Sequence, residues 1–81
     1  MASFPQYRKY KNNKSYFKIL SEQEFYEIQL QRNQKNIYHV KVKILPDRNY
    51  LQDMLHNYTE YWDKCDKNEI EFIETHLKTN S

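Results

Sequence analysis

Asp53, His56 and Glu60 follow one another at spacings of three and four residues, which would set them along one side of a helix. Imidazole and carboxylates so placed are the donor types that hold a divalent metal. At about 100° per residue, however, they lie opposite the apolar stripe of Leu51, Tyr58 and Trp62. That places them in solvent, where nothing organises a fourth ligand, and the paired histidines of zinc-binding helices are missing. No metal or other cofactor is expected.

The remaining candidates for catalysis are His39, His76 and Cys65, scattered over the chain with no nucleophile–base–orienter spacing. Cys65 stands between Lys64 and Asp66 in a connector, and one lysine beside acids does little to activate a thiol. The chain has no glycine, so no glycine-rich loop can bring a backbone close to a substrate. No catalytic residue is singled out, and the expectation is a protein that is not an enzyme.

Two groups of side chains point instead to binding. On alternating strands, Tyr16, Lys18, His39, Lys41 and Lys43 would share one outer face with Gln29 and Gln31, with Arg8 and Lys9 close by. Cations beside a flat ring on an open sheet suit single-stranded nucleic acid, although polar residues are also the ordinary filling of a solvent-facing sheet. The aromatic–glycine signature of sheet-type RNA binders is missing. The second group is aromatic. Phe72 points well away from its helix's apolar stripe, and Tyr50 and Tyr61 flank the stripe of the preceding helix. Together they suggest a protein-association surface, with a homodimer as its simplest form.

The elements that must carry these residues divide at Pro46. Beyond it, Leu51, Met54, Leu55, Tyr58 and Trp62 recur at helical spacing, with Asp47 as the expected N-cap. After a short connection from Asp63 to Asp66, the spacing of Asp66 and Glu69 resembles a capping box, and Ile70, Ile73 and Leu77 form a second stripe. Before Pro46 the alternation is that of strands. Phe17 and Ile19 alternate with Tyr16 and Lys18; Tyr38, Val40, Val42 and Ile44 alternate with His39, Lys41 and Lys43. The segment QYRKYKNNKSYFKI reads as a further hairpin turning at Asn12-Asn13.

SEQEFYEIQLQRN, residues 21–33, gives conflicting signals. Ser21 and Glu24 resemble a helix start, while Tyr26, Ile28 and Leu30 alternate like a strand. A helix there would have a poor apolar face and would leave a two-stranded parallel sheet, an arrangement rarely stable alone. A strand from Phe25 to Gln31 is therefore expected, with a loop over Arg32–Asn36. The resulting fold class is α+β: an antiparallel meander of three or four strands, then two α-helices packed on one face. Its apolar interior would take Phe17, Ile19, Tyr26, Ile28 and Leu30 on the same side, with Tyr38, Val40, Val42 and Ile44.

Eighty-one residues suffice for one domain with one small core, here expected to span 1–81 with 1–5 and 79–81 outside its ordered part. Aromatic residues make up 16% of the chain, eight of them Tyr, against the pattern of disordered segments. Net charge is +2, but residues 1–46 carry +6 and residues 47–81 carry −4, so the molecule is expected to be electrically polar. No apolar run approaches the roughly 20 residues of a membrane span, and MASFPQYRKYKNNK lacks the apolar part of a secretory signal. One cysteine allows no internal disulfide, which suits the cytoplasm.

The pieces YRKY, SYFKI, EFYEIQ and ILPDRNYLQDML are similar to those of short uncharacterised bacterial proteins of about this length. That resemblance runs over most of the chain and implies a stand-alone bacterial cytosolic domain. It implies no activity and no functional residue. The function expected is a small non-enzymatic protein-interaction module, with a nucleic-acid-binding accessory protein as the alternative.

Overall fold

The computed structural model describes residues 3–32 and 34–79, so positions 1–2 and 80–81 of the expected fringes 1–5 and 79–81, and Asn33 in the expected loop, lie outside the described residues. The chain begins with an antiparallel meander of β1 (Gln6–Tyr10), β2 (Ser15–Ser21), β3 (Glu24–Gln31) and β4 (Gln34–Lys41). Helix α1 (Leu45–His56), a 3₁₀ turn (Tyr58–Glu60), β5 (Trp62–Lys64), α2 (Lys67–His76) and β6 (Lys78–Thr79) follow. The sheet order is β5-β1-β2-β3-β4-β6, with β6 parallel to β4 and the other pairs antiparallel. The expected α+β class, meander first and two helices after, is the fold observed.

Without glycine, the turns rest on other residues. Asn13 takes φ 60°, and the Asn12 carboxamide oxygen accepts the Lys14 N–H at 2.9 Å, closing the first hairpin where the Asn pair predicts it. Ser21–Glu24 is a turn and not a helix start; Ser21 Oγ accepts the Gln23 N–H at 3.1 Å. The third hairpin is tighter than expected. Gln31 pairs with Gln34, and Arg32 adopts φ 56°, so Gln34, Lys35 and Asn36 belong to β4 and not to a loop.

The two helices do not share one face of the sheet. Phe17, Ile19 and Phe25 pack with Leu51, Met54 and Leu55 of α1 and with Trp62, while Tyr16 and Ile28 pack with Ile70 and Ile73 of α2. Tyr16 and Phe17 are neighbours in β2, so these two clusters lie on opposite sides. The cause is a register shift between Ile19 and Ser21. Pairing of Ser21 with Glu24 would, if continued regularly, set Ile19 against Tyr26 and gather Phe17, Ile19, Tyr26, Ile28 and Leu30 on one side. The extra residue of the bulge sets Ile19 against Phe25 instead and turns β3 over. Tyr26, Ile28 and Leu30 therefore face α2, not the interior that holds Phe17 and Ile19. Burial of each large apolar side chain contributes roughly 1.5–3 kcal/mol, and the bulge lets both sides of β2 and β3 contribute.

Helix α1 also departs from its expected limits. Its N-cap is Ile44, without a side-chain cap, and Asp47 lies inside the first turn behind Pro46. The helix stops at His56, and Trp62 belongs to β5, where it pairs with Tyr10 and stacks on its ring at 5.6 Å. Pairing with β5 covers an edge of β1 that would otherwise be open. Tyr38 and Ile44, expected inside, are exposed, whereas Val40 and Val42 lean on the α1 cluster. Helix α2 starts as its sequence predicts, with Asp66 as N-cap and the Asp66–Glu69 capping box formed.

Candidate interaction surface

Two buried cations fasten the sheet to its helices. Arg8, on the α1 side, donates Nε–H to the Met54 carbonyl at 2.9 Å, and its other nitrogens donate to Tyr7 O and Gln6 Oε1. The guanidinium lies 4.4 Å from the Tyr58 ring centroid, and burial lowers its pKa. Lys35, on the α2 side, donates to the carbonyls of Ile73 and Glu74 at 3.2 and 2.5 Å, placing its ammonium at the negative end of that helix. Sequence reasoning placed Arg8 on an open basic face and Lys35 in a loop. A long side chain that caps a distant helix has no local signature.

The expected basic face is divided. Tyr16 is buried under α2, Lys18 pairs with Glu74 at 4.0 Å, and Lys9 pairs with Glu69 at 3.2 Å. Gln29 lies on the α1 side and donates to Glu27 Oε2 at 2.9 Å; Gln31 is exposed at the tip of its hairpin. His39, Lys41 and Lys43 stay exposed. His39 stacks on Tyr26 at 4.4 Å and shares a hydrogen bond with the Glu24 carboxylate.

The aromatic trio is not one patch. Tyr50 is half-buried in the α1 cluster, its hydroxyl hydrogen-bonded to that of Tyr10 at 2.5 Å. Tyr61 is exposed and lines a shallow depression with Tyr10, Lys11 and Asn12. Phe72 is 61% exposed on α2, stacked on His76 at 4.2 Å, and borders a separate open groove with Tyr16, Leu30 and Leu77.

The titratable candidates for chemistry stay apart. Asp53 and His56 lie on α1, but Glu60 falls in the 3₁₀ turn beyond it, so the helical spacing is not kept. Among the described residues no group of three His, Cys, Asp or Glu side chains is placed to hold a metal ion. The His76 ring meets the Phe72 carbonyl at 3.0 Å, one turn back along α2. Cys65 packs against the α2 cluster, and burial, with Glu69 nearby, pushes its thiol up to about 11.

The sequence reading did not single out β4 itself. Strand β6 covers only Gln34 and Lys35, and among the described residues nothing pairs with the outer edge from Asn36 to Lys41. With the hairpin closed at Gln31–Gln34, even-numbered residues of β4 turn their N–H and C=O toward β3. The Val42 N–H continues that pattern, donating to Gln23 O at 2.8 Å. Ile37, His39 and Lys41 therefore present their backbone groups outward. Ile37 is 42% exposed and Tyr38 48%, on opposite faces of the same edge. The signal in the sequence was IYHVKVKI itself, read there for its two faces and not for its edge.

Where β4 ends, the chain enters a groove of about 290 Å³ between the Glu22–Gln23 turn and the start of α1. Val42, Ile44 and Leu45 line it with Lys43 and Arg48, and Ile44 and Leu45 are 60% and 69% exposed. Among the described residues Lys41, Lys43 and Arg48 form no ion pair. Edge and groove thus follow each other along one segment, Ile37 to Arg48. No family model, curated protein or solved structure matches the chain.

Proposed function

We propose that the protein is a small non-enzymatic interaction module that receives an extended chain along the outer edge of β4. The supporting observation is the edge at Ile37, His39 and Lys41, unpaired among the described residues and flanked by two large exposed apolar side chains. Most proteins shorten or charge such an edge, because it invites strand addition. The other edge fits that rule: β5 has three residues, and Asp63 and Lys64 are exposed. A non-enzymatic role agrees with His39, His76 and Cys65 each being engaged in a separate local contact. No helix among the described residues is long and apolar enough to cross a membrane, and a lone free thiol suits a reducing cytoplasm.

The incoming chain could belong to another protein or to a second copy in a homodimer. Nucleic acid is less well served, since Tyr16, the ring that would stack a base, is under α2. Random peptides displayed on phage should be enriched by the wild-type protein and lost with an Ile37→Lys, Tyr38→Lys variant. Enrichment that survives this change, or that depends on Phe72 instead, removes β4 as the binding element. Light scattering over a range of concentrations reads self-association directly.

A further inference from the structure

Resting on the strand-addition reading, we infer that the occupant of the β4 edge is an acidic extended segment of a different protein, ending in an apolar residue seated beside Ile44 and Leu45. Charge selects it. From Asn36 to Lys43 the strand and its continuation hold two lysines and no carboxylate, Lys35 being engaged at the end of α2. The groove that follows adds Arg48 and sets only Glu22 against Lys43 and Arg48. Nearby Glu24 is engaged with His39. Lys41, Lys43 and Arg48 thus form a line of cations without ion-pair partners among the described residues, beside backbone groups that no described strand pairs.

A second copy meets this edge poorly. Antiparallel pairing of β4 with itself opposes two strands of the same positive sign, and like charges across a strand pair are unfavourable. Lysines on an open edge are a common guard against self-pairing. A strand carrying Glu or Asp at alternate positions reverses that repulsion while using the same backbone groups. Its terminal apolar side chain finds the exposed Ile44 and Leu45, beside Val42.

The test uses the full chain and a fluorescein-labelled peptide of about eight residues, one strand's length, with alternating glutamate and valine and a terminal leucine. It is compared with the same peptide carrying glutamine for glutamate. Fluorescence anisotropy should show the acidic peptide binding roughly fivefold tighter, the effect of two exposed ion pairs. That preference should vanish in a Lys43→Gln, Arg48→Gln variant, whose changed residues are exposed. Methylating one alternate set of peptide amides should abolish binding, while methylating the other set should not.

Equal affinity for the two peptides overturns the acidic preference and leaves strand addition standing. Binding of neither peptide, or indifference to which amides are methylated, overturns strand addition itself. Displacement of the peptide by an oligothymidylate that binds more tightly assigns the cations to nucleic acid and overturns the inference. So does concentration-dependent dimerisation lost in the Ile37→Lys, Tyr38→Lys variant, which assigns the edge to a second copy.

Discussion

Arg8 holds its place through donors and not through an opposing charge. Its three hydrogen bonds reach Met54, Tyr7 and Gln6, and it lies against the Tyr58 ring, with no carboxylate in ion-pairing contact among the described residues. A lysine keeps the charge but not the planar fork that serves three acceptors at once. Arg8→Lys should therefore destabilise the fold by roughly 2–3 kcal/mol, the cost of leaving buried acceptors and a displaced charge poorly met. Urea unfolding followed by the fluorescence of Trp62 measures it, and a variant as stable as the parent would show that these bonds are dispensable. Nothing in YRKY marks one cation as buried and its neighbour Lys9 as a half-exposed partner of Glu69. Both have the same local character; only the face of β1 on which each falls separates them.

Among the elements, α2 was the most legible and α1 the least. The reciprocal contacts of Asp66 and Glu69 are local, so their spacing alone predicts where the helix begins. Asp66→Ala should cost about 1 kcal/mol. Glu69→Ala should cost more, because Glu69 Oε1 also meets Lys9 Nζ at 3.2 Å while Oε2 accepts the Asp66 N–H. Thermal unfolding of the two single variants orders them, and equal losses would remove the strand contact from the account. Helix α1 lacks such a device at its start, and its end is set by competition. Trp62 continues the apolar spacing of α1 but gains more by pairing with β1 and stacking on Tyr10. A sequence pattern counts the residues of one face and has no information on which distant strand lies open.

At the scale of the molecule, burial ties stability to alkaline pH. The Cys65 thiol is raised from 9.0 to about 11, chiefly by burial. The phenols of Tyr16 and Tyr50 are raised by burial, the latter also by its hydrogen bond to Tyr10, and Lys9 is raised first by its hydrogen bond to Glu69. In each case the folded state holds its proton more tightly than the unfolded chain. This stabilisation is complete below the unfolded pKa and is lost as pH rises through the folded one. Stability should therefore fall between pH 9 and 11, by roughly 2 kcal/mol from Cys65 alone. Urea midpoints across that range should decline, and less steeply in Cys65→Ala. A flat profile would mean that these groups are as wet folded as unfolded. The same packing explains why Tyr16 and Lys18 are withdrawn from the basic face expected of a one-sided sheet, since α2 lies against them.

The sequence by itself determined what depends on near neighbours. These are the alternation that makes 24–31 a strand, the Asn12-Asn13 turn, the capped start of α2, and an α+β order of strands before helices. The tertiary structure decided which side each strand shows, because one extra residue between Ile19 and Ser21 inverts β3 without altering its alternation. From that inversion follow two apolar clusters in place of one and helices on both faces of the sheet. Alternation has a period of two and is blind to its own phase; only packing against Leu51 on one side and Ile70 on the other fixes it.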